Sequence, residues 1–315
     1  MPLSHAPAPF GRALCAMVTP FTAEGALDLD GARRLAERLV DRGCDGLVLS
    51  GTTGESPTTS DTEKAALVRA VREAVGTRAA IVAGVGTSDT AHSAELAREA
   101  ERAGADGLLV VTPYYSRPPQ DAVRAHFTEI ADASGLPLML YDIPGRTGTR
   151  IEPETMIRLA AHPRIVAVKD CAYDLLGTQK VLARTDLAYY TGCDEQVLAW
   201  YAIGGAGCVS TVANVVPERI RSILDAFDAG ATAQAARLQL AAMPLIEAMM
   251  AADLPGTVTA KALLNALSLP AGPVRPPLRA AGRENAEELL RIYEHLVSAA
   301  EFSRRPGVGT RTAVR

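Results

Sequence analysis

Eight apolar runs, separated by amphipathic stretches, constrain the fold of this chain more than any other feature. They fall at residues 13–21, 46–51, 79–86, 107–115, 136–144, 165–171, 187–192 and 207–214. Each is apolar at nearly every position, not at alternate ones. A strand of that kind is covered on both faces, which is the condition of a parallel sheet enclosed by helices. Helical periodicity fills the intervals at 29–42, 61–75, 90–103, 120–133, 153–161 and 195–203. Eight such units over residues 13–229 predict a (β/α)8 TIM barrel of the α/β class in preference to a doubly wound sheet.

Gly43, Gly104 and Gly204 follow helical segments and lead into strands. Glycine closes a helix by adopting the left-handed conformation, so these positions mark the bottom of the barrel. The opposite strand ends form the top. Past the eighth run, 217–229 reads as the last barrel helix, and 232–252, 258–267 and 283–300 read as helices without strands between them. The expected division is an N-terminal segment at 1–11, a catalytic barrel at 12–230, a C-terminal helical extension at 231–302 and a disordered tail at 303–315. Pro306, Gly307 and Gly309 are the breakers in that tail.

With 315 residues, 48% of them hydrophobic, the chain can bury a large core. A net charge of −4 without a basic stripe argues against nucleic acid as a partner. No apolar stretch reaches the roughly 18 residues of a membrane span, and the first residues lack the basic and apolar regions of a secretory signal. Five cysteines without a C-x-x-C pair read as free thiols in a reducing cytoplasm. None of the five histidines has metal-ligand spacing, and Gly84-Val85-Gly86 lacks the third glycine of a dinucleotide fingerprint. The reading is therefore an enzyme without metal or cofactor.

Its chemistry must come from the top of the barrel. The chain has four lysines, and Lys169 ends the apolar run 165–171. A buried ammonium tends to lose its proton, and a neutral amine can form a Schiff base with a carbonyl substrate. The competing reading is a lysine that snorkels to solvent. Gly51-Thr52-Thr53-Gly54 offers hydroxyls and backbone N–H groups that suit a small carboxylate, or else a helix cap. Tyr115 and Tyr141 sit at strand ends and could relay protons, or simply pack. Arg146 follows a Pro-Gly turn and could pair with a carboxylate, or remain a surface charge.

Six motifs occur together in order: Val18-Thr19-Pro20, Gly51-Thr52-Thr53-Gly54-Glu55-Ser56, Val111-Thr112-Pro113-Tyr114-Tyr115, Leu140-Tyr141-Asp142-Ile143-Pro144-Gly145-Arg146-Thr147-Gly148, Val168-Lys169-Asp170 and Gly205-Ala206-Gly207. With them the chain resembles the dihydrodipicolinate synthase and N-acetylneuraminate lyase family, in its actinobacterial synthase form, from about residue 12 to 297.

The resemblance implies that Lys169 forms an imine with pyruvate and that Tyr141 shuttles protons. It implies that Thr52 links Tyr141 to Tyr115 from a neighbouring subunit, that Thr53 and nearby backbone N–H groups hold the pyruvate carboxylate, and that Gly192 and Val209 contribute backbone near the pyruvate. Arg146 would hold the carboxylate of aspartate 4-semialdehyde. That arginine and Gly-Thr-Thr-Gly-Glu favour the synthase over sugar-acid lyases. The alternatives are another pyruvate-dependent aldolase of the family or, from a different class, a silent metabolite-binding barrel. A homotetramer built as a dimer of dimers is implied as well. In lysine-inhibited members the effector lies near the segment after the Gly-Thr-Thr-Gly-Glu loop. Asp61 and Lys64 stand here where those proteins carry histidines, and Ser88 and His92 where they carry asparagine and glutamate. Cys193 and Cys171-Ala172-Tyr173 depart from the family pattern.

Overall fold

A computed structural model describes residues 7–250 and 253–304. Eight parallel strands close into a barrel in sequence order: β1 (Ala13–Ala16), β2 (Gly46–Leu49), β3 (Ala80–Gly84), β4 (Gly107–Val111), β5 (Leu138–Asp142), β6 (Ile165–Asp170), β7 (Ala188–Thr191) and β8 (Gly207–Ser210). Every strand sits inside one of the apolar runs. The runs are longer because their last residues leave the sheet and form the loops of the top face.

A helix follows each strand, at Leu29–Asp41, Asp61–Val75, Thr90–Ala103, Gln120–Asp132, Pro153–Leu159, Leu175–Leu182, Val197–Ala202 and Pro217–Asp228. Leu175–Leu182 is absent from the sequence reading. It spans eight residues with a glycine inside, too short for clear periodicity. Asp174 starts it by accepting from Gly177 N–H at 2.9 Å. Gly43, Gly104 and Gly204 all adopt positive φ at the bottom of the barrel.

The strands divide the core in two. Their outer faces pack on the helices, and their inner faces, with Leu14, Val48, Leu109, Met139 and Val209, form an apolar plug. Phe10 closes its lower end, where a Cβ on Gly107 would lie 2.4 Å from the Phe10 ring. This plug leaves room for chemistry only at the top.

Three further helices follow, Thr232–Met249, Gly256–Ala266 and Arg283–Arg304. The last runs two residues into the stretch assigned to the tail, since the first sequence breaker is Pro306. The rest of that tail lies outside the described residues. The extension is fastened over the top face. Gln239 donates to the Asp194 carbonyl at 3.1 Å, and Thr257 donates to the Thr52 carbonyl at 3.3 Å. No described helix is long and apolar enough to cross a membrane.

Candidate active site

The register of β5 and β6 pairs Tyr141 with Lys169 and Asp142 with Asp170. Side chains alternate across a strand, so the first pair faces the barrel axis and the second faces the helices. The Lys169 amine lies 4.3 Å from the centre of the Tyr141 ring. Lys169 is 5% exposed. Burial lowers its pKa, and the opposing influences are charges at Cys171, Cys193 and Asp194, with no hydrogen bond among them. Burial holds the Tyr141 phenol well above its ordinary pKa, against a hydrogen bond with Thr52 and the charge of Arg146. A poorly solvated amine thus faces a phenol that keeps its proton, a combination suited to carbonyl addition and proton transfer.

Gly192, just past β7, is required by this packing. A Cβ there would lie 2.7 Å from Lys169 Cε and 2.5 Å from Cys171 Sγ. Thr53 is buried and its hydroxyl lies 3.2 Å from that of Thr211. Neither Thr52 nor Thr53 caps a helix; the capping box of Asp61–Val75 is Ser60 with Glu63. That disposes of the competing reading of the Gly-Thr-Thr-Gly loop. Thr52 and Arg146 are exposed on the top face.

Lys169, Tyr141, Thr52, Thr53, Arg146 and Gly192 line one cavity of about 760 Å³. Met243, Met250 and Thr257 of the helical extension complete its wall. Thr52, Tyr141 and Arg146 also line a second cavity of about 960 Å³, which reaches Tyr115, Lys64 and His92. Two anticipated residues stand apart. Val209 lies in the apolar plug beneath the site. Tyr115 is 95% exposed and held at φ 74°.

Several residues that support the site went unassigned in sequence. Asp194 is buried and accepts from the Ser210 hydroxyl and from the backbone N–H groups of Thr211 at 3.0 Å and Val212 at 3.1 Å. It thereby fixes the loop carrying Thr211, and burial pushes its carboxyl up to about 6. Glu55, at φ 57°, pairs with Lys261 at 2.6 Å beneath the threonine loop. Behind β5 and β6, Asp142 accepts from Ile151 N–H at 3.1 Å and Asp170 accepts from the Thr178 hydroxyl at 3.0 Å. Burial raises Asp142 to about 7. Acidic residues at strand ends were the only available signal, and such residues point equally to loops and to chemistry.

Comparison with known proteins agrees with this geometry. The model of the dihydrodipicolinate synthetase family matches residues 9–296. The protein named 4-hydroxy-tetrahydrodipicolinate synthase 1 of Streptomyces coelicolor is 78% identical, over 93% of this chain and 96% of its own. The 4-hydroxy-tetrahydrodipicolinate synthase of Acidothermus cellulolyticus is 57% identical, over 95% of this chain and 96% of its own. Among solved structures, lysine-bound DHDPS from Cyanidioschyzon merolae superposes with a TM-score of 0.89 at 37% identity, covering 93% of this chain and 99% of that one. A family match over nearly the whole barrel, joined to relatives of this identity and coverage, places the chain in the dihydrodipicolinate synthetase family.

Proposed function

We propose that this chain condenses pyruvate with L-aspartate 4-semialdehyde to give 4-hydroxy-tetrahydrodipicolinate and water, as a Schiff-base lyase of lysine and diaminopimelate biosynthesis. The observation that carries the reading is the buried Lys169, whose pKa burial lowers and whose amine lies 4.3 Å from the centre of the Tyr141 ring.

The steps follow from that placement. The Lys169 amine adds to the pyruvate carbonyl carbon. The resulting carbinolamine loses water to the imine, with Tyr141 supplying the proton to the departing hydroxyl. Thr53 and the neighbouring backbone hold the pyruvate carboxylate, and Gly192 leaves the space the lysine stem needs. Tyr141 then takes a proton from the pyruvate methyl to give the enamine, which attacks the aldehyde carbon, and the alkoxide formed there takes up that proton from Tyr141. Arg146 holds the carboxylate of the semialdehyde at the mouth of the cavity. The substrate amine attacks the imine carbon, closes the ring and releases Lys169.

The protein works in the cytoplasm as a homotetramer, a dimer of dimers. Tyr115, 95% exposed in the single chain, reaches the neighbouring subunit's Thr52–Tyr141 relay. The barrel at 12–230 is the catalytic unit, and the helices of 231–302 close its mouth. Borohydride reduction with pyruvate, followed by a semialdehyde assay, tests the reading. The expected result is a covalent adduct on Lys169 and turnover of the semialdehyde. An unmodified Lys169 peptide would refute it.

A further inference from the structure

Cys171 and Cys193 are the departures from the family pattern that the proposed chemistry leaves unused. The sequence reading treats all five cysteines alike, as free thiols, and the structure separates them. Cys171 follows the last residue of β6, and Cys193 lies two residues past β7. Asp170 pairs with Thr191, so Cys171 stands opposite Gly192 and one residue from Cys193. Adjacent strands and the rise per residue put their Cα atoms roughly 6 Å apart. That lies inside the Cα range of a disulfide. Both thiols line the cavity that holds Lys169. The contacts of Cys171 extend to Tyr141, and its sulfur packs on Gly192 beside the Lys169 stem.

We propose that Cys171 and Cys193 form a reversible oxidation site, in which a peroxide entering the cavity links them and withdraws Lys169 from imine formation.

A built-in control sharpens the argument. Cys15 and Cys44 are also neighbours, but both are buried in the core between strands and helices. Burial pushes the Cys15 thiol up. Cys171 instead is held below its ordinary pKa, first by the neighbouring Cys193 thiol and then, against burial, by the charge on Lys169. Reactivity belongs to an accessible thiolate, so the cavity pair is the one that reacts.

The chemistry balances. The Cys171 thiolate attacks one peroxide oxygen. A sulfur–oxygen bond forms, the oxygen–oxygen bond breaks, and hydroxide leaves to take up a proton as water. Cys193 is held high by its contact with Cys171 and by burial. Its neighbour becomes uncharged on oxidation to the sulfenic acid, which removes the like charge opposing its ionisation. Its sulfur then attacks the sulfenic sulfur, the disulfide forms and a second water departs. Two thiols are oxidised and one peroxide is reduced. Linkage pulls the Cys171 sulfur away from Tyr141 and draws together the strand ends that carry Lys169.

The test uses the full, reduced chain and hydrogen peroxide. Non-reducing peptide mapping should find a Cys171–Cys193 linked pair lighter by two hydrogens, with Cys15, Cys44 and Cys208 still free thiols. Borohydride trapping of pyruvate on Lys169 should fall at least fivefold and return with dithiothreitol. Pyruvate added first should slow linkage, because it occupies the same cavity. In Cys171→Ser, peroxide should leave the trapping rate of that variant within twofold of its own untreated value.

The activity half of this proposal rests on the Schiff-base reading, but the linked peptide is measured without it. Failure of the untreated chain to trap pyruvate would overturn only that reading. A Cys15–Cys44 link, oxidised Cys171 beside a free Cys193, or a linked chain that traps pyruvate as fast as the reduced one would overturn the proposal.

Discussion

Lys169 and Lys261 are both buried, at 5% and 2% exposure, and in both burial lowers the pKa. Their surroundings differ completely. Lys261 meets Glu55 at 2.6 Å, donates to the Pro273 carbonyl at 2.7 Å and lies 4.1 Å above the Phe21 ring. Lys169 has a ring at 4.3 Å and no hydrogen bond among its influences. Burial alone therefore does not make a nucleophile. A desolvated lysine in direct contact with a carboxylate is an ion pair that fixes a loop, whereas one with only more distant charges loses its proton more readily.

The strongest way to break that distinction is Lys169→Arg. It keeps the charge and removes the amine. Turnover should fall at least about 10³-fold, roughly 4 kcal/mol in the barrier. Mass mapping after pyruvate and borohydride on the unmodified chain should find no adduct on Lys261. An adduct shared equally by the two lysines would erase the comparison.

Glu55→Gln attacks the other side. It strands the Lys261 ammonium in the core and should destabilise the fold by about 3–5 kcal/mol. Glu55→Gln with Lys261→Met should recover most of that loss, because the uncompensated charge is gone; thermal melts of the single and double variants decide. The pH dependence has a definite sign. Burial brings Lys261 down to about 8, so between there and the ordinary lysine value the unfolded state binds the extra proton. Stability contributed by this group rises with pH across that window and is lost as pH falls through about 8. Lys261→Met should abolish the rise, as measured by denaturant midpoints at pH 7.5 and 9.5.

Arg146 is a cation of a third kind, exposed at the mouth of the cavity. Arg146→Ala should raise KM for the semialdehyde about 30- to 150-fold, the equivalent of about 2–3 kcal/mol, with far less effect on pyruvate. Equal effects on both substrates would contradict its assignment.

The comparison also marks where sequence reasoning reaches. Lys169 was legible because its apolar flanks are local: a strand run ending in a cation states its own burial. Lys261 was not, because its partner Glu55 comes from the opposite end of the chain and nothing near Lys261 announces a carboxylate. The barrel was legible in the same local way, through eight apolar runs and glycine-closed helices. Leu175–Leu182 escaped because eight residues hold barely two turns. Asp194 escaped because its role is to receive N–H groups from another strand end, a relation that only the closed barrel creates. The candidate reactive pair, Lys169 and Tyr141, lies on strands whose pattern is strong, and the supporting residues are defined by contacts across the barrel.

Lys64 completes the series and carries the smallest expected effect. Burial lowers its pKa, and its ammonium donates to the carbonyls of Ser56 and Thr59. Asp61, beside it, pairs with His92 at 2.9 Å. All line the larger cavity, next to Tyr114 and Ser88. An amino-acid effector such as lysine would bring its own ammonium to this pocket. That ammonium would meet a resident cation already holding the backbone acceptors, and a carboxylate already holding a histidine. Desolvating it there lacks compensation. Free lysine at about 1 mM, equivalent to about 4 kcal/mol of binding, should therefore leave steady-state turnover nearly unchanged. Lys64→Ala should free those carbonyls and increase sensitivity to lysine. Half-inhibition of the unmodified chain well below that concentration would mean that an ammonium can be accommodated beside Lys64, and that partnered and unpartnered lysines are less distinct here than Lys169 and Lys261 indicate.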